Sequence, residues 1–197
     1  DVLLDGVERL HADIVVMAIG VSPESELAKK AGLELGVKGS IVVNEKMETS
    51  VKDIYAVGDA VQVKNFVTKA DTVIPLAGPA NKQGRIAADN ICGGNSEYKG
   101  SQGSSVLKVF ELTAATTGIN EKEADRAGIE YEKIIISPMS HASYYPGGKL
   151  MNVKFLYEKG TYRILGAQIV GYDGVDKRID VLATALRAGL TAIDLKE

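Results

Sequence analysis

The chain has 197 residues, 45% of them hydrophobic and 25% charged, a balance that supports a packed core in one or two domains and is not that of a disordered chain. Its net charge of -3, with Lys and Arg scattered among Asp and Glu, excludes a concentrated basic face and with it a nucleic-acid backbone as partner. The longest apolar run, Ile14 to Val21, falls well short of the ~20 residues that span a bilayer, and the lone Cys92 has no disulfide partner, so the expectation is a soluble, cytoplasmic protein without membrane contact.

In chain order, VLLDGVERL is predicted to be a hairpin turning at Asp5-Gly6. ADIVVMAIG, ending at Gly20, reads as a strand buried on both faces of a parallel sheet, because nearly every position is apolar. Ser22 and Pro23 supply an N-cap and a first-turn proline for a short helix striped by Leu27, Ala28 and Ala31 and stopped by Gly32. SIVV at 40–43 and DIYAV at 53–57 are two further predicted strands, the second running into Gly58-Asp59. A strand that stops at a residue without a side chain and then meets a carboxylate suits a backbone that approaches a ligand closely.

VIPLAGPANKQGRIAADNICGGN begins as a strand end and loop and continues as a helix, with Pro79 in its first turn and Gly93-Gly94 as its stop. Ala80, Gly84, Ala87, Ala88 and Ile91 recur at helical spacing and are nearly all small, so this side can lie close against a neighbouring surface. The free N–H groups at its start suit an anion or an electron-rich carbonyl. Cys92, at the helix end with no His or second Cys nearby, reads as a buried structural residue and not as a nucleophile.

Further on, SVLKVFEL, EKIIIS, LMNVKFLYE and RILGAQIVG are predicted strands. A helix begins at Asn120 with Glu123 three positions on and stops at Gly128; another carries Ile179, Leu182, Ala183 and Leu186 and stops at Gly189. The block from about 102 onward is therefore expected to be an α+β unit with an antiparallel sheet. Thr191 and Asp194 mark a helix start with little helix after it, and both ends read as cut, so a segment of a longer protein is expected. His11 is expected to be exposed and His141 to be a solvated loop residue. No metal-ligating cluster is expected.

These segments carry a resemblance. TSVKDIYAVGDA (49–60) resembles the second flavin-contacting motif of the pyridine nucleotide-disulfide oxidoreductases, and MAIGVSPES the segment that closes their NAD(P)H domain. LAGPANKQGRIAADNI resembles their helix beside the flavin ring, and KVFELTAATTGINEKEADRAG the start of their dimerisation domain. SHASYYPGGKL (140–150) is similar to the branch that contains coenzyme A-disulfide reductases and relatives that reduce persulfides or oxygen species.

The resemblance implies the end of an NAD(P)H-binding domain over 1–30, the C-terminal segment of a three-layer α/β FAD domain over 31–101, and an α+β dimerisation domain over 102–197. The implied cofactors are FAD and NAD(P)H. Asp59 is expected to accept a hydrogen bond from a ribityl hydroxyl, Gly58 to allow the approach, and Gly20 to lie near the nicotinamide. Leu76, Ala77, Gly78, Pro79 and Ala80 are expected to bring the helix start to the flavin pyrimidine carbonyl. Tyr144 and Tyr145 are expected to reach the partner subunit's active site, where one phenol hydrogen-bonds or protonates a substrate sulfur. The implied activity is reduction of coenzyme A disulfide or a related small disulfide or persulfide by a homodimer joined through 102–197. The family's G-x-G-x-x-G fold and attacking cysteine do not occur in this sequence, so the chain alone is expected to be inactive. The alternatives are an NADH oxidase or peroxidase of the same family and, for the chain by itself, a non-catalytic dimerisation module.

Overall fold

The fold was analysed in a computed structural model that describes Asp1–Leu4, Gly6 and Glu8–Lys196. Strands β1 (Val2–Leu4) and β2 (Glu8–Leu10) pair antiparallel, with Val2 opposite Leu10. The flanks of the predicted hairpin are therefore in place, while Asp5 of its turn lies outside the described residues. The apolar run that follows is not a strand. It carries no regular structure, and Ile14, Val16 and Ile19 are 82%, 82% and 84% exposed. An extended segment becomes a strand only when a neighbour takes up its N–H and C=O groups, and no described strand lies beside this one.

Helix α1 (Glu26–Lys30) starts after Ser25 and not after Ser22. The Ser25 hydroxyl donates to the Gly39 carbonyl at 2.6 Å, which pins the helix start to the 3-10 turn Val37–Gly39 and leaves Pro23 outside the helix. SIVV and DIYAV likewise form single bridges where strands were predicted: Ile41 pairs with Leu35 and Val61, and Tyr55 with Glu48. Leu35 and Glu48 meet their partners across short loops and Val61 meets Ile41 in parallel, each as one pair and not a ladder. Their apolar side chains still pack on a small core of Met47, Val61, Val63, Ala87 and Tyr98. Strands β3 (Val63–Lys64) and β4 (Asp71–Thr72) form a short antiparallel pair beside it.

Helix α2 (Ala77–Ile91) ends at Cys92, and Gly93 turns the chain at φ 87°, as the predicted stop requires. Its buried line runs through Gln83 and Ala87. The predicted small-residue face is only partly covered, since Ala88 is exposed and Ile91 is 63% exposed. Cys92 is exposed too, which corrects its reading as a buried residue: it sits past the last helical turn and packs into no core.

The second half of the chain holds the principal sheet. Its strands are β5 (Ser105–Val109), β6 (Leu112–Gly118), β7 (Tyr131–Ile136), β8 (Met151–Glu158) and β9 (Ile164–Gly171), antiparallel in the order β5-β6-β9-β8-β7. What reads in the sequence as one strand, SVLKVFEL, is a hairpin bent at Phe110-Glu111. Strand β6 escapes a sequence reading because that turn has no Gly or Asn; Phe110 itself takes φ 52°.

Helix α3 (Glu121–Ala127) follows the predicted capping pattern: Asn120 Oδ1 accepts from the Glu123 N–H at 3.1 Å, and Glu123 Oε2 from the Asn120 N–H at 2.9 Å. Helix α4 (Val175–Ala188) packs Val175, Ile179 and Leu182 on Ala115, Met151, Val153, Ala167 and Ile169 of the sheet. A second cluster joins Ile119, Leu156, Leu165, Leu186 and Ala124 to Val67, from the loop between β3 and β4. The Arg187 guanidinium also lies 4.2 Å from the centre of the Phe66 ring, so the two halves of the chain share a core. The sheet face away from α4 is open: Leu107, Ala114, Val170 and Asn152 form one cross-strand row, with Leu107 64% and Val170 44% exposed.

Candidate functional site

The Gly58-Asp59 turn is built by the loop before it. The Thr49 N–H donates to the Ile54 carbonyl at 2.9 Å and the Ala56 N–H to the Met47 carbonyl at 3.1 Å, which holds Ile54 to Val57 extended without a full ladder. The Ser50 hydroxyl accepts from the Glu34 N–H at 2.9 Å and Thr49 Oγ1 accepts from the Val51 N–H, so the Thr-Ser pair fixes the start of the loop. Gly58 then adopts φ 90°, a conformation that side-chain-bearing residues rarely take. Its N–H donates to Oε1 of Gln83 at 2.7 Å.

Gln83 is a site residue the sequence reading missed. It is 1% exposed, and it ties the turn to α2. The available signal was a polar residue on the Ala80, Gln83, Ala87 stripe, the line that turns inward. Gln83 lies six residues into α2, so at 1.5 Å per residue the turn is anchored about 9 Å along the axis from the helix start.

That start is open. Leu76 caps it with extended backbone and no side-chain bond, Ala77 and Gly78 are exposed, and no acidic residue occupies the first turn. Pro79 has no N–H, so the free donors belong to Ala77 and Gly78, while the Ala80 N–H is already bonded to the Leu76 carbonyl at 3.1 Å. The Asp59 carboxylate is exposed and has no hydrogen-bond or ion-pair partner among the described residues. A Cβ placed on Gly58 or on Gly78 meets no atom within 4 Å. An unpaired acceptor, free helix donors and open space over Gly58 and over Gly78 are the groups that a ribityl hydroxyl and a pyrimidine carbonyl of a flavin would require.

Gly20 is not brought to this place. It has φ 81° and is exposed in the segment after β2, which makes no backbone hydrogen bond to the Gly58 turn. A groove of about 500 Å³, lined by residues including Asn44, Gln62, Lys64 and Tyr98, contains none of the sequence-predicted site residues.

The two tyrosines occupy a separate place, on the loop between β7 and β8. They are no core residues: Tyr144 is 89% and Tyr145 66% exposed. The loop is closed at its neck, where the Ser140 N–H donates to the Lys149 carbonyl at 2.8 Å and the Lys149 N–H to Ser140 Oγ at 3.2 Å. His141 is partly buried, not fully solvated, because its ring meets Tyr145 edge-on with centroids 5.4 Å apart. His11 is exposed, as expected, with Nδ1 3.0 Å from an Asp1 carboxylate oxygen. Among the described residues there is no His, Cys, Asp and Glu cluster able to hold a metal ion and no helix long and apolar enough to cross a membrane.

The chain thus joins an α+β sheet domain through a common core to a segment that carries the Gly58-Asp59 turn and the open start of α2. Two family models agree: residues 1–84 match the pyridine nucleotide-disulphide oxidoreductase model, and 104–197 match the dimerisation domain of the same family. The chain belongs to the pyridine nucleotide-disulphide oxidoreductases, enzymes that use FAD and NAD(P)H. It is 39% identical over 194 residues to the NAD(P)H sulfur oxidoreductase (CoA-dependent) of Pyrococcus furiosus, covering 98% of this chain and 43% of that one. To the coenzyme A disulfide reductase of Staphylococcus aureus it is 35% identical over 188 residues, covering 95% and 42%. The crystal structure of reduced CoADR-RHD from Bacillus anthracis superposes with a TM-score of 0.91 at 55% identity, over 94% of this chain and 34% of that one. The chain thus spans less than half the length of the curated relatives it matches.

Proposed function

We propose that this chain is the C-terminal part of an FAD- and NAD(P)H-dependent reductase that acts on coenzyme A disulfide or a related low-molecular-weight disulfide or persulfide. The observation that carries the reading is the Gly58-Asp59 turn, tied by Gln83 to the helix whose start is uncapped, with its carboxylate unpaired among the described residues. Asp59 accepts from a ribityl hydroxyl, Gly58 lets the backbone approach, and the Ala77 and Gly78 N–H groups, presented by Leu76, Pro79 and Ala80, face the pyrimidine carbonyl. When bound, FAD supplies the carrier that passes an electron pair from NAD(P)H to sulfur. In balance, one disulfide, one NAD(P)H and one proton give two thiols and NAD(P)+. The names of the relatives support the choice of acceptor.

Residues 1–30, 31–101 and 102–197 are the end of the nicotinamide domain, the flavin-domain segment and the dimerisation domain. The complete enzyme is a homodimer through the last of these, for which the open apolar row through Leu107 and Val170 offers a surface. Tyr144 and Tyr145 act in the partner's active site, where a phenol protonates or holds the substrate sulfur, and Gly20 lies near the nicotinamide when the rest of its domain is present. A single cysteine is consistent with work in the reducing cytoplasm. The test is the full-length enzyme with FAD, NADH and coenzyme A disulfide. Thiol release that falls steeply in Asp59→Ala, together with loss of flavin, supports the reading; oxygen or peroxide consumed with no disulfide turnover would move it to the oxidase branch. The isolated chain is expected to be colourless and to consume no NADH.

A further inference from the structure

The tyrosine loop is held from below by a residue to which nothing so far assigns a role. Arg178, one turn into α4, sends Nη2 to the Ser140 carbonyl at 2.6 Å and Nη1 to the Gly174 carbonyl at 3.2 Å. It has no carboxylate partner among the described residues, so the guanidinium serves these two carbonyls alone. Ser140 is 7% exposed and forms the loop neck with Lys149, and the Tyr145 N–H donates to the Ala142 carbonyl at 3.0 Å just above it. A second brace stands on the other side, where the Lys149 ammonium lies 5.2 Å from the centre of the Tyr172 ring. The loop neck and the guanidinium are closely packed: a Cβ on Gly148 would come within 2.9 Å of the Met139 methyl, and one on Gly174, at φ 70°, within 2.7 Å of Arg178 Nη1, so either change would displace these side-chain ends.

We propose that Arg178 is a positioning residue for substrate reduction, fixing the angle at which the loop presents Tyr144 and Tyr145 by joining the loop neck to the N-terminus of α4. The proposal rests on the role assigned above to the tyrosines. A planar fork that bonds two carbonyls from different elements sets a direction as well as a distance, and the loop above it makes few other bonds to the body of the protein. Small errors in presentation are costly to catalysis, and the cost should fall on the acceptor step, the one that the tyrosines are proposed to serve.

The test uses the full-length, FAD-loaded enzyme. In Arg178→Met, kcat/KM for the disulfide acceptor should fall about tenfold while the rate of flavin reduction by NADH stays within about twofold. Arg178→Lys, which keeps a donor but loses the fork, should fall in between. Combined with Tyr145→Phe or Tyr144→Phe, whichever alone slows the acceptor step, Arg178→Met should add little further loss, because both changes disable one device. On the chain itself, trypsin should cut after Lys149 about tenfold faster in Arg178→Met. Equal slowing of both half-reactions would mean a general folding role and overturn the proposal, as would unchanged acceptor kinetics or unchanged cleavage. If Arg178→Met does not fold, Arg178→Lys carries the same comparison of rates. Slow tyrosine variants beside a normal Arg178→Met would remove only this proposal; fast tyrosine variants would remove the tyrosine role as well.

Discussion

Replacing Gln83 by Met keeps the length and volume of the side chain and removes the one acceptor of the Gly58 N–H. The bond lost is 2.7 Å long, and the carbonyl oxygen that makes it belongs to a side chain 1% exposed, so no water takes its place without repacking. Removing one partner of such a bond costs about 1–2 kcal/mol, because the donor is left unsatisfied and the apolar gain of Met is small. In a chain of this size that corresponds to a fall in melting temperature of about 2–8 °C, read by circular dichroism. In the full-length enzyme the same loss, felt at the turn, should weaken FAD binding about 5- to 30-fold in an equilibrium titration. A Gln83→Met protein that melts with the parent and keeps its flavin would refute the claim that this bond holds the turn.

Leu156→Ala, at a fully buried site, removes three carbons at ~0.8 kcal/mol each and leaves a cavity, so urea unfolding should show a loss of about 3–4 kcal/mol, against ~0.5 kcal/mol or less for the 64% exposed Leu107→Ala in the monomeric chain. Gly166→Ala places a methyl 2.6 Å from the Ile119 backbone nitrogen and in contact with the Ile119 carbonyl; strands do not shift cheaply, so soluble yield should drop and stability should fall by about 3 kcal/mol. The Lys133 and Lys154 ammonium groups, at 2.6 and 2.8 Å, hold the Glu121 carboxyl at about 2 against an ordinary 4.5. A depressed carboxylate contributes stability above its unfolded value and loses it as the pH falls, so this contribution is complete above pH 4.5 and fades towards pH 2. Acid titration of Glu121→Gln should therefore be flatter than that of the parent across this window, and parallel curves would contradict the assignment.

Where the sequence reading succeeded, the information was local. The capping box at Asn120 and Glu123, the glycines that end α2, α3 and α4, and the apolar alternation of β8 and β9 each depend on neighbours a few residues away, and these elements lie where they were expected. The Gly58-Asp59 turn was legible for the same reason: a strained backbone needs its glycine in place. The run Ile14 to Val21 shows the limit. Its composition states that it belongs inside a sheet, but a strand exists only with its neighbours, and among the described residues none takes its hydrogen bonds. Strand β6, closed by a turn without glycine, and the exposure of Cys92 were likewise set by packing and not by pattern. The site itself divides along this line. The amino-acid sequence alone singled out the residues proposed to carry the chemistry, Gly58, Asp59, the α2 start and the tyrosine pair. Only the tertiary structure decided what holds them, since Gln83 meets Gly58 across 25 positions and Arg178 meets Ser140 across 38, separations over which no periodicity reports a contact.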